Sequence, residues 1–326
     1  MSNFKNFAIK YGFFVVMILM FVFFGVMQPA YWKVSNLFSI LLQMTIAAIL
    51  GLGLTFTLVI DGFDLSIGSV AALAVMVASY IMVVLNWSGW VAIVVVLALG
   101  ALVGLCNGLL IVRVKVPDLL ATLGMMFLVQ GLQLIPSAGN SIGTGAILRN
   151  GQTAMGKFRE GFLFLGQGRI FGVIPTPVLI MVVVAIVVFA VLSLTRWGRV
   201  FYAIGGNAEA ARLAGAKVDR YRIVAYVTSG FVAALGGVVL AARIGRGDVQ
   251  SGGGLLMDAV ASSLIAYAVL GVRQPNPFGT IIGAVFVGML LNGLTMLNMQ
   301  YYVQDFIKGF VLVAALAFTF GLSKSR

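Results

Sequence analysis

The chain contains no histidine, one cysteine and nine acidic residues against 21 basic ones. Each scarcity removes a class of chemistry. Without histidine, the commonest transition-metal ligand and the usual proton shuttle near neutral pH are missing. Cys106 stands alone inside an apolar run, which excludes disulfide frameworks and cysteine metal sites. No paired catalytic carboxylates with a nearby nucleophile stand out, so nothing points to an enzyme and no metal or other cofactor is expected. Charge is scarce too: 9% of residues are charged and 61% are hydrophobic. With a mean hydropathy of +1.11, that balance excludes a water-soluble globule and places the chain in a bilayer.

What the sequence has in abundance is apolar length. Hydrophobic runs of about 20 residues recur throughout, the length of a helix crossing about 30 Å of hydrocarbon and unlike the shorter alternating strands of a barrel. The fold expected is all-α, a polytopic transmembrane bundle treated as one domain over 1–326. About ten spans are predicted, near 12–30, 38–60, 66–86, 90–112, 118–136, 176–195, 223–242, 257–271, 280–298 and 304–322. The first run begins at Tyr11 and leads into further spans instead of a small-residue cleavage site, so it reads as a retained helix. The run near 257–271 is short and carries Asp258, which leaves a re-entrant or broken helix open.

The positive-inside rule turns the net charge of +12 into a statement of topology. With both termini cytoplasmic, the inner side collects Lys5, Lys10, Arg113, Lys115, Arg196, Arg199, Arg212, Lys217, Arg220, Arg222, Arg273, Lys324 and Arg326. The outer side keeps Lys33, Arg149, Lys157, Arg159, Arg169, Arg243, Arg246 and Lys308. Basicity therefore reads as orientation, with no call for nucleic acid as a partner. Trp32, Trp87, Trp90 and Trp197 lie near predicted span ends, where interfacial anchoring explains them.

Two segments outside the spans are long. The outer one, 136–175, is rich in glycine and aromatics and has room for a short helix or hairpin, as a lid, a partner surface or plain cover for helix ends. The inner one, 196–222, is basic and alanine-rich. Gly205 and Gly206 break the preceding run, Asn207 is a good N-cap, Ala208, Glu209, Ala210, Ala211, Arg212, Leu213 and Ala214 favour a helix, and Gly215 offers a stop. So short a helix is marginal in water and must dock. One reading is a surface helix on anionic membrane lipid. Its apolar face is small for that, which favours insertion into a soluble partner.

The intramembrane polar residues carry two readings each. Asp61 and Asp64 flank Gly62 between the second and third spans. Structurally, Asp64 or Ser66 caps the next helix and Asp61 meets a cytoplasmic arginine; the other reading is a gate or a solute path. Asn107 and Asn292, each before a glycine, bridge helices or bind solute hydroxyls. Gly100, Gly104 and Gly108 repeat at four-residue spacing and predict a groove for close helix packing.

These residues also carry a resemblance. Gly62, Phe63, Asp64, Leu65, Ser66, Ile67, Gly68 and Ser69 are similar to a G-I/F-D-L-S-V/I-G-S motif, and Gly104 to Gly108 to G-x-x-N-G. PDLLATLG at 117–124 and the stretch 198–215 complete the pattern. Over nearly its whole length the chain resembles the permease subunit of bacterial ATP-binding-cassette importers of the ribose and xylose type. That resemblance implies an inner-membrane, multi-pass subunit of a homodimer or heterodimer. It implies a periplasmic or lipid-anchored binding protein delivering a sugar, and a short inner helix, 207–215, that couples to a separate ATPase. In keeping with it, no G-x-x-x-x-G-K-S/T phosphate loop is found in the sequence. There are departures. The family's glycine-rich LGG-x-x-x-x-GG-x-G stretch is replaced by residues 270–279, where two prolines stiffen the turn, and Asp118 stands where an aromatic is more usual. An uncharged sugar needs scattered hydrogen-bonding groups, which suits the sparse charge. A branched-chain amino-acid permease of the same superfamily and an ion-coupled secondary transporter remain the competing readings.

Overall fold

In a computed structural model, which describes residues 2–147, 151–267 and 274–323, every predicted apolar run coincides with a helix. The helices in chain order are α1 (Ser2–Met27), α2 (Val34–Val59), α3 (Ile67–Ser79), α4 (Gly89–Val112), α5 (Asp118–Leu132) and α6 (Glu160–Gln167). After them come α7 (Thr176–Phe189), α8 (Arg196–Gly206), α9 (Ala208–Leu213), α10 (Val218–Ile244), α11 (Leu255–Ile265), α12 (Pro277–Met296) and α13 (Tyr301–Ser323). α3 and α7 each run on through a π turn, Tyr80–Val84 and Ala190–Leu194. Among the described residues, six helical segments are long and apolar enough to cross a membrane: Val34–Val59, Ile67–Val84, Gly89–Val112, Thr176–Leu194, Val218–Ile244 and Pro277–Met296. Tyr11–Met27, Asp118–Leu132 and Leu255–Ile265 are apolar but shorter.

The arrangement follows from side-chain size. α2 is apolar on every face and is buried continuously from Met44 to Val59, as a helix surrounded by other helices must be. α10 lies against α2, α3 and α4. Small residues permit the approach: a Cβ on Gly53 would sit 3.1 Å from the Ser229 carbonyl, and one on Gly236 would strike Leu50. α1 is two-faced: Phe24 is buried, while Ile18, Leu19 and Val26 are exposed, as suits a helix with one side toward lipid chains.

The two long segments lie at opposite ends of α10. At its C-terminal end, Ile142 and Gly247 exchange backbone hydrogen bonds of 2.7 Å, and the Gly156 N–H donates to Val83 at 3.1 Å. Gln167 Nε2, at the end of α6, donates to the Arg243 carbonyl at 3.1 Å. The segment 136–175 thus holds α6 and a hairpin of β1 (Arg169–Ile170) and β2 (Ile174–Pro175). At the N-terminal end of α10 lie α8, α9 and the close of α2. Here the structure corrects an expectation, because 196–206 is helix and not loop. Thr195 caps it, accepting from the Gly198 N–H at 3.3 Å. α12 also starts earlier than its apolar run, because Asn276 accepts from the Gly279 N–H at 2.7 Å and Pro277 takes the first helical position. Arg149, Lys324, Arg326 and the first part of the divergent turn, 270–273, lie outside the described residues.

Candidate functional site

Three features converge where α2 ends and α10 begins. The first is the pair α8 and α9. α8 buries Phe201 and Ile204, with Phe201 packed edge-on to Phe56 and Tyr221 at centroid distances of 6.0 and 5.5 Å. A Cβ on Gly205 would collide with the Val59 carbonyl, so glycine lets α8 rest on the end of α2. Tyr202 donates its hydroxyl to the Pro275 carbonyl at 3.0 Å; burial pushes its phenol pKa up and keeps the proton in place.

α9 follows after one residue. Asn207 has an extended backbone and accepts from the Ala210 N–H at 2.9 Å. Gly215, at φ +90, ends the turn in a conformation that favours glycine. Ala211 is the one buried residue of α9, whereas Glu209, Ala210, Arg212, Leu213 and Ala214 are exposed. Arg212 meets Glu209 at 3.3 Å and Asp219 at 3.4 Å. These pairs are solvent-exposed and contribute little to holding the helix. α9 is therefore a short helix anchored by its caps and Ala211, with a small, polar-edged face and Leu213, 83% exposed, turned outward.

The second feature is a buried polar knot. Asp64, fully buried, accepts at Oδ1 from the Ser66 N–H at 3.0 Å and the Ser66 hydroxyl at 2.6 Å. Its Oδ2 accepts from the Ser229 hydroxyl, on α10, at 2.8 Å. Asn107, on α4, donates Nδ2 to Ser66 Oγ at 2.9 Å. The turn before α3 is thus tied to α4 and α10 at one point. Asn107 Oδ1 is buried without a partner. The capping expectation needs amending: Ser66 takes the N-cap position, but its side chain makes no capping bond and donates to Asp64 instead. Asn292, on α12, joins none of these hydrogen bonds, and its Oδ1 is also buried without a partner.

The third feature is a cavity of about 340 Å³ beside the knot, lined by Asp61, Lys115, Asp118, Arg222 and Tyr226. Asp61 and Lys115 both have left-handed backbones, at φ +58 and +67. Asp61 was expected to meet an arginine; Arg222 lines the same cavity, but Asp61 makes no ion pair among the described residues. Exposed, left-handed Asp61 keeps its hydration, and Arg222 Nε is buried with no partner. Asp118 Oδ2 accepts from the Phe63 N–H at 2.7 Å, pinning the turn that carries Asp64. The lining thus sets two carboxylates and two cations side by side.

Behind these features α4 and α10 meet almost backbone to backbone. A Cβ on Gly100 would strike Ala234, one on Gly104 the Tyr226 carbonyl, and one on Gly108 would lie 2.9 Å from Ile223 Cα. Sequence reasoning missed Ser229, the Asp118 bond and the contact of Lys308 with Asp258 at 2.7 Å. A hydroxyl or a charge inside an apolar run is the signal that marks them.

A family described as "Branched-chain amino acid transport system / permease component" matches residues 36–316. Among curated proteins, the chain is 34% identical over 305 residues to the ribose import permease protein RbsC of Escherichia coli (strain K12), covering 93% of this chain and 91% of the relative. It is 32% identical over 313 residues to the L-arabinose transport system permease protein AraH of that strain, covering 95% of this chain and 90% of the relative. It is 29% identical over 323 residues to the D-allose transport system permease protein AlsC, also of that strain, covering 99% and 95%. No solved structure matches.

Proposed function

This chain belongs to the family described as branched-chain amino acid transport system / permease component, and on that premise we propose that it is the membrane-spanning subunit of an ATP-binding-cassette importer of a monosaccharide. The observation that carries the reading is the near end-to-end similarity to permeases named for ribose, arabinose and allose. It favours a sugar over the branched-chain amino acid in the family's description.

In this account the chain sits in a bacterial inner membrane with about ten spans and both termini inside. It pairs with a second permease subunit, receives sugar from a binding protein and leaves ATP hydrolysis to another chain. The helix Ala208–Leu213, with Asn207, Ala214 and Gly215, is the surface that the ATPase pushes. Its exposure, small residues and firm caps support that role. Asp64, Ser66 and Asn107 hold α3, α4 and α10 together so that a push on α8 and α9 reaches the spans, while Asp61 lines the inner mouth of the path.

Uptake of labelled aldoses by cells expressing the chain with its ATPase and binding protein tests the reading. Saturable uptake that stops on ATP depletion and survives an ionophore is expected. Uptake of leucine instead would restore the amino-acid reading, and uptake that persists without ATP but collapses with the ion gradient would replace it with an ion-coupled carrier.

A further inference from the structure

We propose that a second cavity, between the end of α4 and the start of α10, holds the phosphodiester headgroup of an anionic phospholipid, gripped by Arg113, Lys217 and Arg220. The cavity encloses about 410 Å³ and is distinct in lining from the one beside Asp64. Two other charges on its wall, Arg212 and Asp219, compensate each other at 3.4 Å. Arg113, Lys217 and Arg220 make no ion pair among the described residues. Three cations around one hollow repel one another, and an anion between them relieves that repulsion.

Position selects the kind of anion. Arg113 is the C-cap of Gly89–Val112 and Lys217 the N-cap of Val218–Ile244, both long and apolar enough to cross a membrane. The three cations therefore sit level with the ends of two spans, at headgroup depth. Basic pockets between transmembrane helices bind such headgroups. The floor of the cavity is apolar, formed by Ile223 and Val224. A free phosphate would use the cations and leave that floor wet, whereas a lipid covers both. The inference requires only that the chain lies in a membrane, and it stands whatever solute the chain carries.

The test is native mass spectrometry of the purified full chain titrated with phosphatidylglycerol, phosphatidylcholine and inorganic phosphate. The expected result is one saturable phosphatidylglycerol site, preferred over phosphatidylcholine by at least about tenfold. The triple variant Arg113→Gln, Lys217→Gln, Arg220→Gln should lose that preference, while Lys33→Gln, Arg159→Gln, Arg169→Gln keeps it. If the triple variant does not elute as folded protein, Arg113→Gln alone should lower the preference by about threefold. Equal phosphatidylglycerol binding by wild type and folded variant overturns the proposal, as does the absence of any preference in the wild type. Displacement of the lipid by equimolar inorganic phosphate overturns it in favour of a free-phosphate site. Loss of the ATPase from the variant complex, with lipid binding unchanged, overturns it in favour of a protein partner.

Discussion

Asp64 and Asp258 are both acids set among apolar helices, and they are held by opposite means. Asp64 has no cation: its partners are the N–H and hydroxyl of Ser66 and the hydroxyl of Ser229. Asp258 has Lys308 at 2.7 Å, and Lys308 also meets Asp305 at 3.3 Å. Converging neutral donors fix a backbone turn, because each bond is directional and short. A counter-ion joins two helices, here α11 and α13, with less demand on geometry, and it leaves a charge exposed to penalty if either partner goes. The directional arrangement ties the turn before α3 to α4 and α10, and the same turn supplies Asp61 and Gly62 to the 340 Å³ cavity. The more permissive one joins α11, which packs on α2 and α12, to the exposed helix α13.

Substitutions can break this comparison in order of size. Asp64→Ala strands three donors in a buried site and is expected to cost about 3 kcal/mol, read as a lower melting temperature in detergent. Lys308→Met leaves Asp258 without its cation and is expected to cost about 2 kcal/mol; adding Asp258→Asn should recover at least half of that loss, since the penalty is the unpaired charge. No such rescue is expected for Asp64→Ala from Ser229→Ala, because the Ser66 donors stay unmatched. Gly104→Ala drives a methyl into the Tyr226 carbonyl and should cost about 1–2 kcal/mol by separating α4 from α10. Arg212→Ala removes two exposed pairs, and its melting temperature should match wild type within error.

Much of the fold was legible because hydrocarbon thickness imposes a length and composition on each helix. What composition could not supply was the end of a helix set by a side chain. α12 begins at Pro277 because of Asn276, three residues before its apolar run. α8 reads as loop because Arg196, Arg199 and three glycines dilute its apolar face, yet Trp197, Phe201 and Ile204 recur at helical spacing. Asn207 and Gly215 were readable because caps are local chemistry. The partners of Asp64 were not, since Ser229 lies 165 residues away. Asp118, notable in sequence only as a departure from a family pattern, bonds the Phe63 N–H and so supports the turn that bears Asp64.

The central claim is that this chain makes the path and that an ATPase docked on α9 drives it. The most direct test is sugar taken up per ATP hydrolysed in vesicles holding the permease, its ATPase and its binding protein, compared between wild type and Glu209→Ala, Arg212→Ala. The account predicts that the variant reaches the membrane folded while uptake per ATP falls by at least about tenfold, the loss of about 1.4 kcal/mol of coupling. Wild-type uptake per ATP in the variant would contradict it.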